Sequence, residues 1–239
     1  METVISVHNL EKSYTGMKAV DGISFDVKKG TVFGLLGHNG AGKSTTLECI
    51  LGTKAFEKGS VLLLGQSPNQ NRKALFQRVG VQFQNAAYPS KIRVGEICEI
   101  NASLYKNAAG WKDMLEEFGL SDKYKSQVSS LSGGERQKLD ILLAVMHSPE
   151  VVFLDELTTG LDPVARRKVW QYIRSLKEKG ATVLLTSHYM DEVSHLCDMV
   201  AIMKHGKIIT AGTVSQVIAQ SGTDNMDDAF VAFAQEEAV

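Results

Sequence analysis

Nine consecutive residues, Gly37-His38-Asn39-Gly40-Ala41-Gly42-Lys43-Ser44-Thr45, carry the spacing G-x-x-x-x-G-K-[ST]. Glycine at these places lets the backbone curl so that successive N–H groups point inward at phosphate oxygens. A helix beginning near Lys43 would add its positive N-terminal end to the same anion. Lys43 would reach the β and γ phosphates of a nucleoside triphosphate, and the Ser44 hydroxyl would ligate Mg²⁺. His38 fills a variable position of the loop and has no chemistry assigned to it. The alternative, a glycine-rich turn with no ligand, requires both the spacing and the flanking strand and helix pattern to coincide by accident.

A second acidic feature suits the same chemistry. Val151-Val152-Phe153-Leu154-Asp155 is an apolar strand ending in an aspartate placed to help hold magnesium, and Glu156 follows it directly. Strand alternation would turn the Glu156 carboxylate away from that of Asp155, where it could polarise an attacking water. A third element, Leu131-Ser132-Gly133-Gly134-Glu135-Arg136-Gln137, sets a serine and two glycines before a helix whose residues Leu139, Leu142, Leu143, Val145 and Met146 predict one buried face. This is another helix N-terminus suited to an anion.

The elements that must position these groups follow from periodicity. Val4–Val7 and Gly22–Val27 have the alternation of half-buried antiparallel strands. From Thr31 onward short apolar runs at 32–36, 79–83, 151–154, 183–186 and 200–203 predict strands buried on both faces, as a parallel sheet requires. Helices are expected at 43–51, 135–147, 163–179 and 189–196, the third capped by Asp162, with Pro163 at its first position and Gly180 after its end. Between Asn85 and Ser130 no strand is expected, and 93–105 and 111–118 read as helices. The resulting class is α/β. A P-loop core with a mostly parallel sheet (residues 1–84 and 150–212) carries an N-terminal antiparallel β subdomain. A helical subdomain is inserted at 85–149, and a helical tail at 213–239 completes a single unit over 1–239.

Composition excludes several classes. The 239 residues include 26 Lys+Arg and 27 Asp+Glu, a net charge of −1, and 44% are hydrophobic, which is ordinary for a folded protein and unlike a disordered or collagenous chain. A charge near zero also argues against a strong grip on nucleic acid, which needs many phosphate-neutralising side chains. The 3 cysteines are scattered without metal-ligand spacing and fit a reducing compartment. No membrane-spanning helix and no secretory signal is expected.

The absence of an Asn-Lys-x-Asp base-reading motif weakens a GTPase reading. In order and approximate spacing, the motifs resemble the nucleotide-binding subunits of ATP-binding cassette (ABC) transporters up to about Gly212. They are Tyr14, the loop at 37–45, Gln84, LSGGERQ at 131–137, VVFLDE at 151–156, Gly160-Leu161-Asp162 and His188. The resemblance implies ATP and Mg²⁺ as ligands. It makes Tyr14 the aromatic that stacks on adenine, where its residue type alone would read as a surface tyrosine. It makes Gln84 a contact of Mg²⁺ and the attacking water, Glu156 the catalytic carboxylate and His188 a γ-phosphate contact. Ser132, Gly133, Gly134 and Asp162 would act on ATP held by a second cassette, joined head to tail, although Asp162 is equally explained as a helix cap. One departure is Leu157, where the family usually has proline, with a small effect expected.

Within the family, the lack of coiled-coil or zinc insertions sets aside DNA-repair types, and a single cassette sets aside translation types. An iron–sulfur assembly ATPase is the alternative to a transporter subunit. The stretch Gly160-Leu161-Asp162-Pro163, the run Met203–Lys207 through Gly212-Thr213, and Asp227-Asp228-Ala229-Phe230 look like bacterial drug and antibiotic exporters. The expectation is a cytoplasmic ATPase, peripheral on the inner face of the cell membrane, that powers a separate permease. Ala87, Tyr88 and Pro89 are either its contact or an ordinary surface loop.

Overall fold

The computed structural model describes residues 2–84, 86–108, 110–158 and 160–235. Asn85, Thr159 and the last four residues of the expected tail lie outside these. The alternating N-terminal segments form β1 (Thr3–Tyr14) and β2 (Met17–Lys28), an antiparallel hairpin closed at Thr15-Gly16, and β4 (Lys58–Leu63) pairs with the other edge of β1.

The second sheet has the order β5-β6-β7-β3-β8-β9, built from β3 (Val32–Leu36), β5 (Val79–Gln82), β6 (Val151–Asp155), β7 (Thr182–Ser187), β8 (Met199–Lys204) and β9 (Lys207–Thr213). The first five run parallel, and only β9 turns back along β8. The parallel strands carry apolar residues on both sides because both faces are covered. Val152, Leu154, Val183 and Leu185 meet the helices on one face, and Val151, Phe153 and Leu184 meet the antiparallel sheet and α1 (Lys43–Ile50) on the other. Each such fully buried side chain contributes about 1.5–3 kcal/mol from removal of apolar surface.

The first face is covered by α3 (Val94–Ser103), α4 (Trp111–Glu117), α5 (Gly133–Val145) and α6 (Pro163–Glu178), and no strand lies between 86 and 130 among the described residues. Asp162 caps α6, its Oδ1 accepting from the N–H groups of Val164 and Ala165 at 2.9 and 3.0 Å, and Pro163 opens the helix. After β7 come α7 (Met190–Leu196) and, past β9, α8 (Val214–Ser221) and α9 (Met226–Gln235), which pack around Leu36, Val200 and Ile202. A short helix, α2 (Arg72–Leu75), precedes β5. The β4 and β9 strands and α2 fall where the sequence pattern predicts no element.

Parallel strands end at one edge. The register pairs Leu36 with Ser187, Asp155 with Thr186 and Gln82 with Leu154, so Gly37, Gln84, Glu156 and His188 all follow strands that finish at that edge. Open parallel sheets bind ligands there, beyond the carboxyl ends of their strands.

Candidate functional site

The loop at 37–45 leaves β3 and turns directly into α1. Gly42 precedes the helix with φ of +104° and offers no side-chain cap, so the first-turn N–H groups face outward without a competing side-chain acceptor. The curl is possible only for glycine: a Cβ on Gly37 would lie 2.5 Å from the Met203 carbonyl oxygen, and one on Gly42 2.3 Å from that of Ala19. The Lys43 ammonium is folded back onto this loop and donates to the carbonyls of Gly37 at 2.8 Å and His38 at 3.2 Å. Burial pushes the Lys43 pKa down, against the opposing pull of Glu156 and Asp155.

Three oxygens converge at the end of β6. The Ser44 hydroxyl donates to Asp155 Oδ1 at 3.3 Å, and the Thr186 hydroxyl donates to the same oxygen at 2.5 Å. Thr186 also accepts from the Glu156 N–H at 3.0 Å, so one hydroxyl fixes both acidic residues. Glu156 itself has φ of +52°, a conformation that non-glycine residues adopt at a cost. Strand alternation therefore does not aim its carboxylate. The strand ends at Asp155, and the left-handed turn at Glu156 sets the direction.

The Gln84 amide donates to Glu156 Oε2 at 2.6 Å, and His188 Nδ1 stands 3.8 Å from Glu156 Oε1 without a hydrogen-bond partner. Tyr14, Asn39, Gly40, Gly42, Lys43, Ser44, Thr45, Gln84 and Glu156 line one open cleft of about 370 Å³, together with Ala19. Tyr14 stands at its rim, 39% exposed, beside the Lys12 ammonium. The structure thus brings the loop, the two acids, Gln84 and Tyr14 to one place, with His188 beside Glu156. Gly37 and Ala41 lie in the loop behind, and His38 turns away to pack against Phe230 of α9, with ring centroids 4.9 Å apart.

Ser132, Gly133, Gly134 and Asp162 do not line this cleft. Ser132 caps α5 in a reciprocal box: its hydroxyl accepts from the Glu135 N–H, and its own N–H donates to Glu135 Oε2 at 2.8 Å. Two residues beyond the sequence expectations bear on the site. One is Thr186, visible in the sequence only as the last residue of an apolar run. The other is Gln137, whose amide donates to the Leu157 carbonyl at 2.6 Å, next to Glu156.

A phosphate cradle opening a helix at the carboxyl edge of a parallel sheet, faced by an aspartate and a glutamate from a neighbouring strand, defines a nucleotide-binding P-loop ATPase. Residues 20–159 match the family described as ABC transporter. The chain is 36% identical over 231 residues to the daunorubicin resistance ATP-binding protein DrrA3 of Streptomyces coeruleorubidus, covering 95% of this chain and 73% of that one. It is 38% identical over 223 residues to the Nod factor export ATP-binding protein I of Paraburkholderia xenovorans, covering 91% of this chain and 73% of that one. A solved structure of an ATP-binding subunit of an ABC transporter superimposes with a TM-score of 0.90 at 25% identity, over 98% of this chain and 100% of the other. The chain belongs to the ABC transporter family, as an ATP-binding subunit that hydrolyses ATP.

Proposed function

We propose that this chain hydrolyses ATP in a head-to-tail pair of cassettes and so drives export through a separate membrane permease. The observation that carries the reading is the meeting of Lys43, Ser44, Asp155, Gln84 and Glu156 at one end of the sheet, with His188 3.8 Å from Glu156. The phosphates lie along the loop at 37–45, and Tyr14 stacks on the base; such stacking contributes about 1–3 kcal/mol. The Glu156 carboxylate orients water for attack on the γ phosphorus and takes up its proton as the bond to the β-phosphate oxygen breaks. The loop N–H groups and Lys43, whose ammonium exchanges the Gly37 and His38 carbonyls for phosphate, meet the charge on the phosphoryl oxygens, and His188 supports the γ phosphate.

The Ser44 hydroxyl, one Asp155 oxygen and the Gln84 amide form an oxygen-rich donor set that suits Mg²⁺, which would neutralise charge on the β and γ phosphates. The Asp155 oxygen is already shared by two hydroxyls, so its position is fixed before any ion arrives.

Ser132, Gly133, Gly134 and Asp162, away from this cleft, complete the partner's site, which explains why they lie apart from the loop in their own chain. Residues 85–149 act as the helical arm that carries them, the 1–84 and 150–212 segments as the catalytic core, and 213–239 as the tail. Names of relatives given for drug resistance and export support transport over iron–sulfur assembly. No described helix is long and apolar enough to cross a membrane, in keeping with a peripheral subunit on the inner membrane face. Ala87 and Pro89 are exposed at the start of the arm and meet the permease, whereas Tyr88 turns inward to donate to Asp140.

Glu156→Gln tests the assignment. It keeps the shape and the Gln84 contact but removes the proton acceptor, so ATP binding persists, turnover disappears and an ATP-bound dimer accumulates in size-exclusion chromatography. Retained turnover would sink the catalytic role of Glu156.

A further inference from the structure

Behind the proposed reaction centre lies another carboxyl that the reaction does not use. Glu192, on the first turn of α7, is fully buried. Its Oε1 accepts from the Trp170 indole N–H at 3.3 Å, and the hydroxyls of Thr158 and Ser187 stand beside it, with the Arg166 guanidinium contributing a favourable charge. Arg166 itself lies over the Tyr189 ring, 4.6 Å from its centroid. Glu192 Oε2, Thr158 Oγ1 and Arg166 Nε are all shielded from solvent and make no hydrogen bond. Buried polar atoms in native proteins are nearly always paired, and the Thr158 and Ser187 hydroxyls beside the carboxyl can supply the partners that these atoms lack.

The segments around Glu192 are those that carry the site. Thr158 lies two residues beyond Glu156, Ser187 immediately precedes His188, and Trp170 and Arg166 belong to the helix that Asp162 caps. We propose that Glu192 is a positioning residue for hydrolysis: when its free oxygen pairs with the Thr158 and Ser187 hydroxyls beside it, one carboxyl ties together the segments that carry Glu156 and His188. Burial favours the neutral acid. A neutral carboxyl has an O–H to donate to one hydroxyl while its other oxygen accepts from the second and from Trp170. Glutamine reproduces that donor and acceptor set, and alanine removes it.

The inference rests on the catalytic assignment of Glu156, and the test separates the two. Steady-state ATPase kinetics with Mg²⁺ are measured for the full chain and for Glu192→Gln, Glu192→Ala, Thr158→Val and the Glu192→Ala/Thr158→Val double variant, with Glu156→Gln in parallel. Loss of alignment lowers kcat about tenfold or more in Glu192→Ala while KM for ATP changes less than about twofold. Glu192→Gln stays within about twofold of the parent, Thr158→Val loses kcat, and the double variant loses no more than Glu192→Ala, because both act through one tie. If Glu192→Ala does not fold, the glutamine and valine variants still decide. An inactive Glu192→Gln, or an unaffected Thr158→Val, overturns the proposal. Equal rises in KM and falls in kcat for Glu192→Ala also overturn it, since they describe a collapsed nucleotide cleft. Turnover in Glu156→Gln would instead overturn the catalytic reading.

Discussion

His147 offers a quantitative test of how β5, the strand that leads to Gln84, is held. The ring is buried, stacks on Tyr105 with centroids 3.7 Å apart, and lies 3.2 Å through Nε2 from the Val79 carbonyl, while Nδ1 has no partner. Burial lowers its pKa from 6.5 to about 4, with the Val79 contact opposing the shift. The unfolded chain therefore takes up a proton on this imidazole as pH falls through 6.5, and the folded chain does so only near 4. Stability is unaffected well above 6.5, declines below it, and levels off below about 4. At 1.36 kcal/mol per pH unit the full interval corresponds to about 3 kcal/mol, and about 2 kcal/mol of it has been lost by about pH 5. The raised pKa values of Asp140 and Glu192 act in the opposite direction, since a buried carboxyl that holds its proton stabilises the fold in acid. The difference between parent and variant isolates His147. His147→Phe keeps a ring on Tyr105 and abolishes the titration. Urea unfolding near pH 7.5 and near pH 5, followed by tryptophan fluorescence, should show the parent losing about 2 kcal/mol more than the variant over that interval. Equal losses would refute the argument that a neutral, buried His147 is built into the fold.

The remaining expectations concern the sheet and the residue that joins its acids. Thr186→Val removes the hydroxyl that serves Asp155 and the Glu156 N–H; it should cost about 1–3 kcal/mol in chemical denaturation and lower kcat, and unchanged turnover would count against fixed acids. Gly80→Ala would put a Cβ 2.0 Å from the Ala144 carbonyl oxygen, forcing β5 away from α5. A loss of about 3 kcal/mol or more is expected by the same assay.

Much of the site is legible from sequence because its chemistry is local. The loop at 37–45 offers contiguous N–H groups to a phosphate, so spacing alone specifies it, and Gly37 and Gly42 meet backbone on the side where a Cβ would sit. The buried strands at 32–36 and 151–154 are legible because both faces are covered and every residue is apolar or glycine. Strand β4 is not: in Lys58–Leu63 only Val61 and Leu63 are buried, and it lies at a sheet edge. Strand β9 buries only Gly212 and is likewise an edge. Thr186 escapes notice because its role depends on the β6–β7 register that sets it opposite Asp155, a relation between residues 31 apart in the chain. The aim of Glu156 escapes because its positive φ is a local departure that no periodicity encodes.

The same geometry gives a reason for the leucine at 157. Proline would fix the backbone there, and its absence enlarges the ensemble of the unfolded chain. Leu157 is fully buried in the cluster that contains Leu139, Leu142 and Leu161, a burial of about 1.5–3 kcal/mol that acts against this loss of stability. Its carbonyl also receives the Gln137 amide, while Arg136 donates to the Ala86 carbonyl. Consecutive side chains of the signature helix thus hold the loop after Glu156 and the loop after Gln84. In the proposed sandwich, a phosphate arriving from the partner at Ser132 acts at the end of that helix. Leu157 and Leu161 share one apolar cluster with Leu139 and Leu142 of α5, so the loop after Glu156 is held to that helix by packing as well as by the Gln137 hydrogen bond.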